Sequence, residues 1–392
     1  MSGIPVSRYR WFILAVFVLS TTISYLDRQM LAALAPTVQG EFGLSDTQYG
    51  LLLTAFSIPY AAMAPFAGLL IDRIGLNSAI VIAIALWSCA GITTGLTTGL
   101  ASLVACRAVL GVAEAAGIPA AGKAIATYTK AGERAVGHAM NQAAVSVGWA
   151  LSPILATGLA LPGGWRTRFI VTGTLGLLWI PLWLITGRTR VPIEAAAGAT
   201  PFRDRRLWTF AAANVLNGIP YSIWSNWTTK YLVTEFSLDA AQANWYAWIP
   251  PVFAMVGGFV CGWGSMRLVR GGAPPPLARY RVCVICAAVA LAGFALPLAA
   301  SPLWAAAGIS LSIAAVAGLS VNLYALPLDT FDASRAAFAV SILVASYGGV
   351  QAVISGPIGW LRDNYGYLPI TMMAAGAPVL ACAILRTARA EQ

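Results

Sequence analysis

The sequence predicts an all-α membrane protein of twelve transmembrane helices in two pseudo-symmetric six-helix bundles, with both termini cytoplasmic. Three observations lead there. The 392 residues are 59% hydrophobic and only 10% charged, where a soluble protein carries about 25% charged residues. Apolar runs recur that are long enough, at about 1.5 Å rise per residue, to cross a hydrocarbon core of roughly 30 Å. One polar stretch, 187–206, separates six such runs from six more. The runs are continuous rather than short and alternating, which excludes a barrel.

In chain order the first helix spans 11–37. It is too long for a signal-peptide core and lacks a small-residue cleavage site, so it is retained. The second, 47–71, ends in the loop Gly68-Leu-Leu-Ile-Asp72-Arg73-Ile-Gly75. Helices three to six follow at 77–98, 101–128, 135–160 and 168–186, and close an N-terminal bundle of residues 1–186. The linker 187–206 carries Arg203, Arg205 and Arg206, which suit the cytoplasm. The C-terminal bundle, 207–392, begins with helices at 207–233 and 240–266. The end of the latter, Gly262-Trp-Gly-Ser-Met-Arg267-Leu-Val-Arg270-Gly271, is a degenerate echo of the loop after helix two. Helices at 281–299, 302–326, 335–360 and 366–386 complete the set.

The net charge of +10 would suit nucleic acid, but its distribution does not. Seventeen of the 24 Lys and Arg fall in the segments assigned to the cytoplasm, and only Arg166, Arg168 and Arg362 on the far side. Arg28, Arg107, Lys123 and Lys230 lie within or at the ends of helices. This asymmetry is the positive-inside signal of a membrane topology. All six cysteines fall within the predicted helices and read as small packing residues. Gly117-Ile-Pro-Ala-Ala-Gly122-Lys123 fits a phosphate-loop spacing, but Ala124 replaces the magnesium-binding hydroxyl and the segment is helical. Asn226-Trp-Thr228 fits a glycosylation pattern inside an apolar helix and is discarded.

Charges buried in lipid carry the functional signal, because each costs at least ~2.5–3.5 kcal/mol to insert. Of fourteen acidic residues only Asp27 and Glu114 fall deep within helices. Asp27 adjoins Arg28 on helix one; Arg107 and Glu114 are seven residues apart, hence on one face of helix four. Rise per residue puts Asp27, Arg28 and Arg107 at similar depth, with Glu114 on their cytoplasmic side. Arg28 suits a substrate carboxylate, because guanidinium offers a bidentate fork and keeps its charge. The two buried carboxyls are the candidate proton carriers, since a carboxyl whose cation is borrowed by a substrate anion switches protonation. Lys123 would guard the cytoplasmic mouth, and Asp72 would latch that face against a helix N-terminus.

The runs Arg8-Tyr-Arg10-Trp11, Tyr25-Leu-Asp27-Arg28, Gly50 to Phe56, Tyr60 and Asp72-Arg73-Ile-Gly75 resemble the anion:cation symporter family of the major facilitator superfamily. Glu114 to Lys123, Glu133-Arg134-Ala135 and Gly164-Trp165-Arg166 continue the likeness. The resemblance implies the major facilitator fold and Arg28 as ligand of the substrate carboxylate. It further implies Asp27 and Glu114 as the protonatable pair, with Arg107 as their partner. Tyr25 and Tyr60 would line the site, Asn322 and Ser346 would meet the substrate's other end, and Asp72, Arg73 and Lys123 would form the cytoplasmic gate.

The resulting expectation is a monomeric, proton-coupled symporter of sugar acids or other small carboxylates in a bacterial inner membrane, working by alternating access. It would use the proton gradient and no metal or cofactor, and would bind no nucleic acid. An organic-anion exchanger, an exporter or a lipid-exporting relative are the alternatives. An enzyme is disfavoured, since one histidine and no nucleophile or metal cluster offer no catalytic constellation.

Overall fold

The computed structural model describes residues 6–129, 134–158, 163–187, 203–331 and 333–390. Among them every regular element is helical. The first elements are α1 (Val6–Phe42), α2 (Asp46–Ile74) and α3 (Leu76–Thr94). Then come α4 (Leu100–Glu114), α5 (Gly117–Tyr128), α6 (Arg134–Gly158) and α7 (Gly164–Thr186). The remainder comprises α8 (Arg205–Phe236), α9 (Ala240–Ala247), α10 (Ile249–Arg270), α11 (Pro275–Ala290), α12 (Pro302–Thr330), α13 (Ala333–Tyr365) and α14 (Leu368–Ala390). Among the described residues, nine helical stretches are long and apolar enough to cross a membrane. The amphipathic α8 is not among them, because Asn214, Asn217, Asn226 and Lys230 interrupt its apolar residues.

Three expected helices differ from the sequence reading, each at a proline. The run 101–128 is two helices, broken at Ala115 and Ala116. Pro119 has no N–H for the carbonyl four residues back, Ala115, and its ring crowds that carbonyl. Trp248 separates α9 from α10 for the same reason, with Pro250 and Pro251 just beyond it. The run 281–299 tightens into a 3₁₀ segment at Leu291–Leu298 that contains Pro297. Helices α1, α2, α8, α12 and α13 extend beyond their apolar stretches, whereas α3 ends at Thr94, short of the expected 98. Asp204 caps α8 by accepting from the Arg206 N–H (2.9 Å), and Asp239 with Gln242 forms a capping box on α9.

The chain forms two compact units. The first comprises Met1–Leu44 and Ala55–Ala195. Its helix α1 packs mainly on α6, and α3 on α7. Phe17, Trp87, Trp179 and Trp183 fill its core; Trp179 stacks on Trp183 (5.3 Å) and donates its indole N–H to the Val16 carbonyl (2.7 Å). One end is tied by Glu41, whose carboxylate accepts from the Trp165 indole and the Arg166 guanidinium. Arg166 also reaches the Thr97 carbonyl (3.2 Å), so α1, α7 and the end of α3 are joined.

The second unit comprises Ser45–Thr54 and Ala196–Gln392. Here α10 packs on α12 at very short range: a Cβ at Gly257 would stand 2.3 Å from the Ala314 carbonyl oxygen. Cys283, Cys286 and Cys382 belong to the apolar core beside Leu319 and Leu323, as the sequence reading expected of packing cysteines. The opening turns of α2 are also seated in this unit. Asp363 accepts from the backbone N–H of Asp46 (3.0 Å) and Thr47 (2.7 Å), and so caps α2 from another helix. Lys230 and Arg362 pair with the Asp46 carboxylate, and the Tyr49 hydroxyl donates to the Asn226 carbonyl (2.8 Å).

The glycine contacts give a direct check. Gly257→Ala should destabilise the detergent-purified protein by about 1–3 kcal/mol through overpacking. Gly264→Ala, on the same helix with open space around its Cβ position, should leave the melting temperature unchanged or raise it. A paired thermal-unfolding measurement decides it; equal shifts would contradict the packing.

Candidate functional site

Neighbouring helical residues point about 100° apart, so Asp27 and Arg28 make different hydrogen-bond contacts. Arg28 turns toward α2 and α4. Its Nε and Nη2 donate to one oxygen of Glu114, Oε2, at 2.9 and 2.7 Å. Three rings surround the guanidinium: Tyr25 and Phe56 at 4.7 Å and Tyr60 at 4.8 Å from ring centroid to Cζ. Tyr25 and Arg28 are three apart on α1; Phe56 and Tyr60 are four apart on α2 and stack on each other at 5.5 Å. The Glu114 side chain is fully buried, while Arg28 keeps 11% of its side chain exposed. The pair is therefore sealed on the carboxylate side and open, narrowly, on the guanidinium side.

Small residues set this geometry. A Cβ at Gly111, one turn before Glu114, would meet the Phe56 carbonyl oxygen at 2.2 Å, so α4 lies directly against α2. A Cβ at Gly148 of α6 would stand 2.3 Å from the Thr22 carbonyl oxygen and 2.9 Å from Tyr25 Cβ. Glu114 is also the last residue of α4, held just before the break that Pro119 imposes. Backbone contact thus fixes the distance between the rings and the carboxylate.

Asp27 faces the other way, toward α3 and α7. It is 1% exposed, and among the described residues neither of its oxygens accepts a hydrogen bond. Its neighbours are Thr172, Arg107 and the open Cβ position of Gly91, 3.8 Å from Oδ2. The Thr172 hydroxyl lies 3.3 Å from the Phe169 carbonyl, and the Arg107 guanidinium lies over the Phe169 ring at 5.5 Å. Arg107 is close enough to act electrostatically on both Asp27 and Glu114. The four formal charges sum to zero, yet only Glu114 has a cation in hydrogen-bond contact. A buried carboxylate without donors is the expensive member of such a set.

The expected site residues therefore fall into groups. Arg28, Tyr25, Tyr60 and Glu114 form one cluster, with Asp27 and Arg107 behind them, all in the first unit. Glu114 was expected on the cytoplasmic side of Arg28 with Arg107 as partner, yet the long Arg28 side chain reaches it directly. Asn322 and Ser346 belong to the second unit. Asn322 is completely buried and donates to the Gly318 carbonyl of its own helix (2.9 Å). Ser346 donates to the Leu343 carbonyl (2.8 Å) and accepts from Asn214 (3.0 Å). Of the gate residues, Arg73 is exposed at the end of α2 and Lys123 is half-buried on α5; the side chain of Asp72 lies outside what is described. Among the described residues no cluster of three or more His, Cys, Asp or Glu could hold a metal ion.

Two contributors escaped the sequence reading. Phe56 is the third wall of the guanidinium cage, and its signal was the Phe56–Tyr60 spacing on one helix face. Asp46, Lys230, Arg362 and Asp363 form a second charged network, which no local spacing announces.

Comparison with known proteins agrees in kind. A family model described as Major Facilitator Superfamily matches residues 17–353. The "probable sulfoacetate transporter" of Cupriavidus necator is 27% identical, covering 94% of this chain and 91% of its own length. A hexuronate transporter of Escherichia coli is 25% identical, covering 96% and 93%. Among solved structures, a bacterial homologue of the human lysosomal transporter Spinster, inward-facing and occupied, superposes with a TM-score of 0.80 at 18% identity over 99% of this chain and 98% of that one. A D-xylose–proton symporter gives 0.80 at 15% identity over 96% and 97%. At these identities the structural likeness establishes the fold.

Removing one partner from a buried ion pair strands the other charge, at a cost of about 3–5 kcal/mol. Glu114→Ala should therefore destabilise the protein strongly, and Glu114→Gln, which keeps an acceptor oxygen for Arg28, much less. Thermal unfolding in detergent tests this; an alanine variant as stable as the parent would mean that the pair is not formed.

Proposed function

This chain belongs to the Major Facilitator Superfamily and is a membrane transporter, not an enzyme, and from that premise we propose that it is a proton-coupled symporter of organic anions, namely sugar acids or other small carboxylates. Its relatives include transporters of hexuronate and galacturonate and a "probable L-galactonate transporter". In this reading the chain crosses a bacterial inner membrane twelve times with both ends in the cytoplasm. Residues 1–186 and 207–392 form the two six-helix bundles, joined by 187–206, and a monomer works by alternating access. Asp72, Arg73 and Lys123 form its cytoplasmic gate.

The observation that carries the reading is the Arg28–Glu114 pair inside its aromatic cage. Arg28 already holds one carboxylate oxygen, Glu114 Oε2, through two N–H groups, a grip that a substrate carboxylate could take over. An incoming anion competes with Glu114 for the same two N–H groups. A displaced Glu114 has lost its cation, and in a low-dielectric site it avoids an isolated charge by taking a proton. Anion binding and proton binding are thereby linked through one guanidinium. Tyr25 and Tyr60 hold that guanidinium in place through their rings, and Arg107 lies close to both Asp27 and Glu114. Asp27, buried beside the Thr172 hydroxyl and Arg107, is the second proton carrier. Asn322 and Ser346 remain candidates for the distal end of the substrate.

Uptake into proteoliposomes checks the proposal, using a panel of radiolabelled glucuronate, galactonate and short carboxylates. At least one should accumulate under an inward proton gradient, and Arg28→Ala should abolish its binding. Asp27→Asn and Glu114→Gln should retain some counterflow exchange while losing gradient-driven accumulation. Uptake indifferent to the gradient would favour an anion exchanger, and full accumulation in both acid variants would remove Asp27 and Glu114 from the coupling role.

A further inference from the structure

We infer that the outer stripe of α10 is a binding site for an anionic glycerophospholipid, whose phosphate is held by Arg267 and Arg270 at the end of the helix. α10 stands apart from the other candidate spans in how little of it the protein covers. Only 11% of the most apolar window within 240–270 is buried, against 39–61% in each of the other eight found among the described residues. In a membrane protein the uncovered surface meets lipid, so the question is which lipid it suits.

The exposed residues are in line. Phe253, Val256, Val260 and Trp263 are each about half exposed (45–59%), and Arg267 and Arg270 are exposed beyond them. At helical spacing these six fall within an arc of about 100°. α10 carries no acidic residue, and both arginines lie in its last turn. The stripe is therefore apolar for about 15 Å along the axis and then doubly cationic. An acyl chain followed by an anionic headgroup has the same order. Trp263 marks the boundary, as aromatic residues do at a membrane–water interface. One turn on, the Arg267 guanidinium lies 4.0 Å from its ring centroid. Stacking covers a face of the guanidinium and leaves its N–H edges for an anion.

The two charges are also available. Among the described residues neither Arg267 nor Arg270 has a carboxylate partner. Other arginines of the same unit are engaged: Arg279 donates to Asp329 (3.1 Å) and Ser265 (2.6 Å), and Arg206 pairs with Asp204 (2.7 Å). Cations at a helix C-terminus complement its dipole, but that role does not call for a guanidinium stacked on a lipid-facing indole. A phosphodiester offers two oxygens to the arginine forks. A zwitterionic headgroup offers the same phosphate with a cation beside it, which two arginines oppose. A second copy of the chain suits the stripe less well. In a two-fold dimer about the membrane normal α10 would lie beside α10 and bring four guanidinium groups together.

Thermal unfolding of the full-length protein in detergent, titrated with lipid, tests the inference. The probes are phosphatidylglycerol, phosphatidylcholine with the same acyl chains, and glycerol 1-phosphate, which carries the charge without the chains. Phosphatidylglycerol should stabilise the parent saturably, and the other two should not match it. Each arginine beside an anionic headgroup is worth about fivefold in affinity, so R267Q/R270Q should weaken the phosphatidylglycerol effect roughly thirtyfold. Comparing that variant with the parent in phosphatidylcholine separates any loss of helix stability from loss of lipid binding. R386Q, at an exposed arginine near the end of α14, should keep the full effect. Equal stabilisation by both lipids, an undiminished effect in R267Q/R270Q, or a loss as large in R386Q would overturn the site. Glycerol 1-phosphate acting as strongly as the lipid would remove the acyl stripe from it. A dimer that R267Q/R270Q strengthens, with no phosphatidylglycerol effect in the parent, would give this face to a second copy instead.

Discussion

One ion pair organises the first unit. Arg28 and Glu114 come from helices far apart in the sequence, and neither charge is tolerable in that setting alone. Pairing makes burial affordable, and the three rings complete the enclosure by covering the guanidinium with π faces. In the proposed mechanism the same pair is the one that a competing anion opens, so stability and function would both rest on these two hydrogen bonds.

The backbone around the pair follows from small residues and prolines. Gly111 brings α4 into contact with α2, and Pro119 ends α4 just beyond Glu114, so the carboxylate sits at a helix terminus. In the second unit the same devices recur. Gly257 presses α10 onto α12, and Pro250 and Pro251 separate α9 from α10. The second charged network, Asp46 with Lys230 and Arg362, sits at the opening turns of α2 and serves as the seat for that segment.

Much of this was legible in the sequence. Apolar runs gave the helices, because hydrocarbon leaves the backbone no other partner than itself. Asp27, Arg28, Arg107 and Glu114 stood out because charges in such runs are rare. Their pairing was not legible. Helical spacing says that Arg107 and Glu114 share a face, but which cation Glu114 takes depends on how α1 and α4 pack, and the reach of the Arg28 side chain decided it. Likewise a proline in an apolar run announces a kink or a break without distinguishing them, so the run 101–128 read as one helix. No local spacing marks Asp46, since its partners lie far along the chain.

The central claim is that a bound anion and Glu114 exclude each other at Arg28. Proton uptake on anion binding measures this directly, in weakly buffered detergent solution with a transported anion from the panel. The account predicts net proton uptake by the parent protein on binding, and a reduced uptake in Glu114→Gln, which has no carboxylate to protonate there. Saturable, Arg28-dependent binding with no proton taken up, or the same uptake in Glu114→Gln as in the parent, would contradict it.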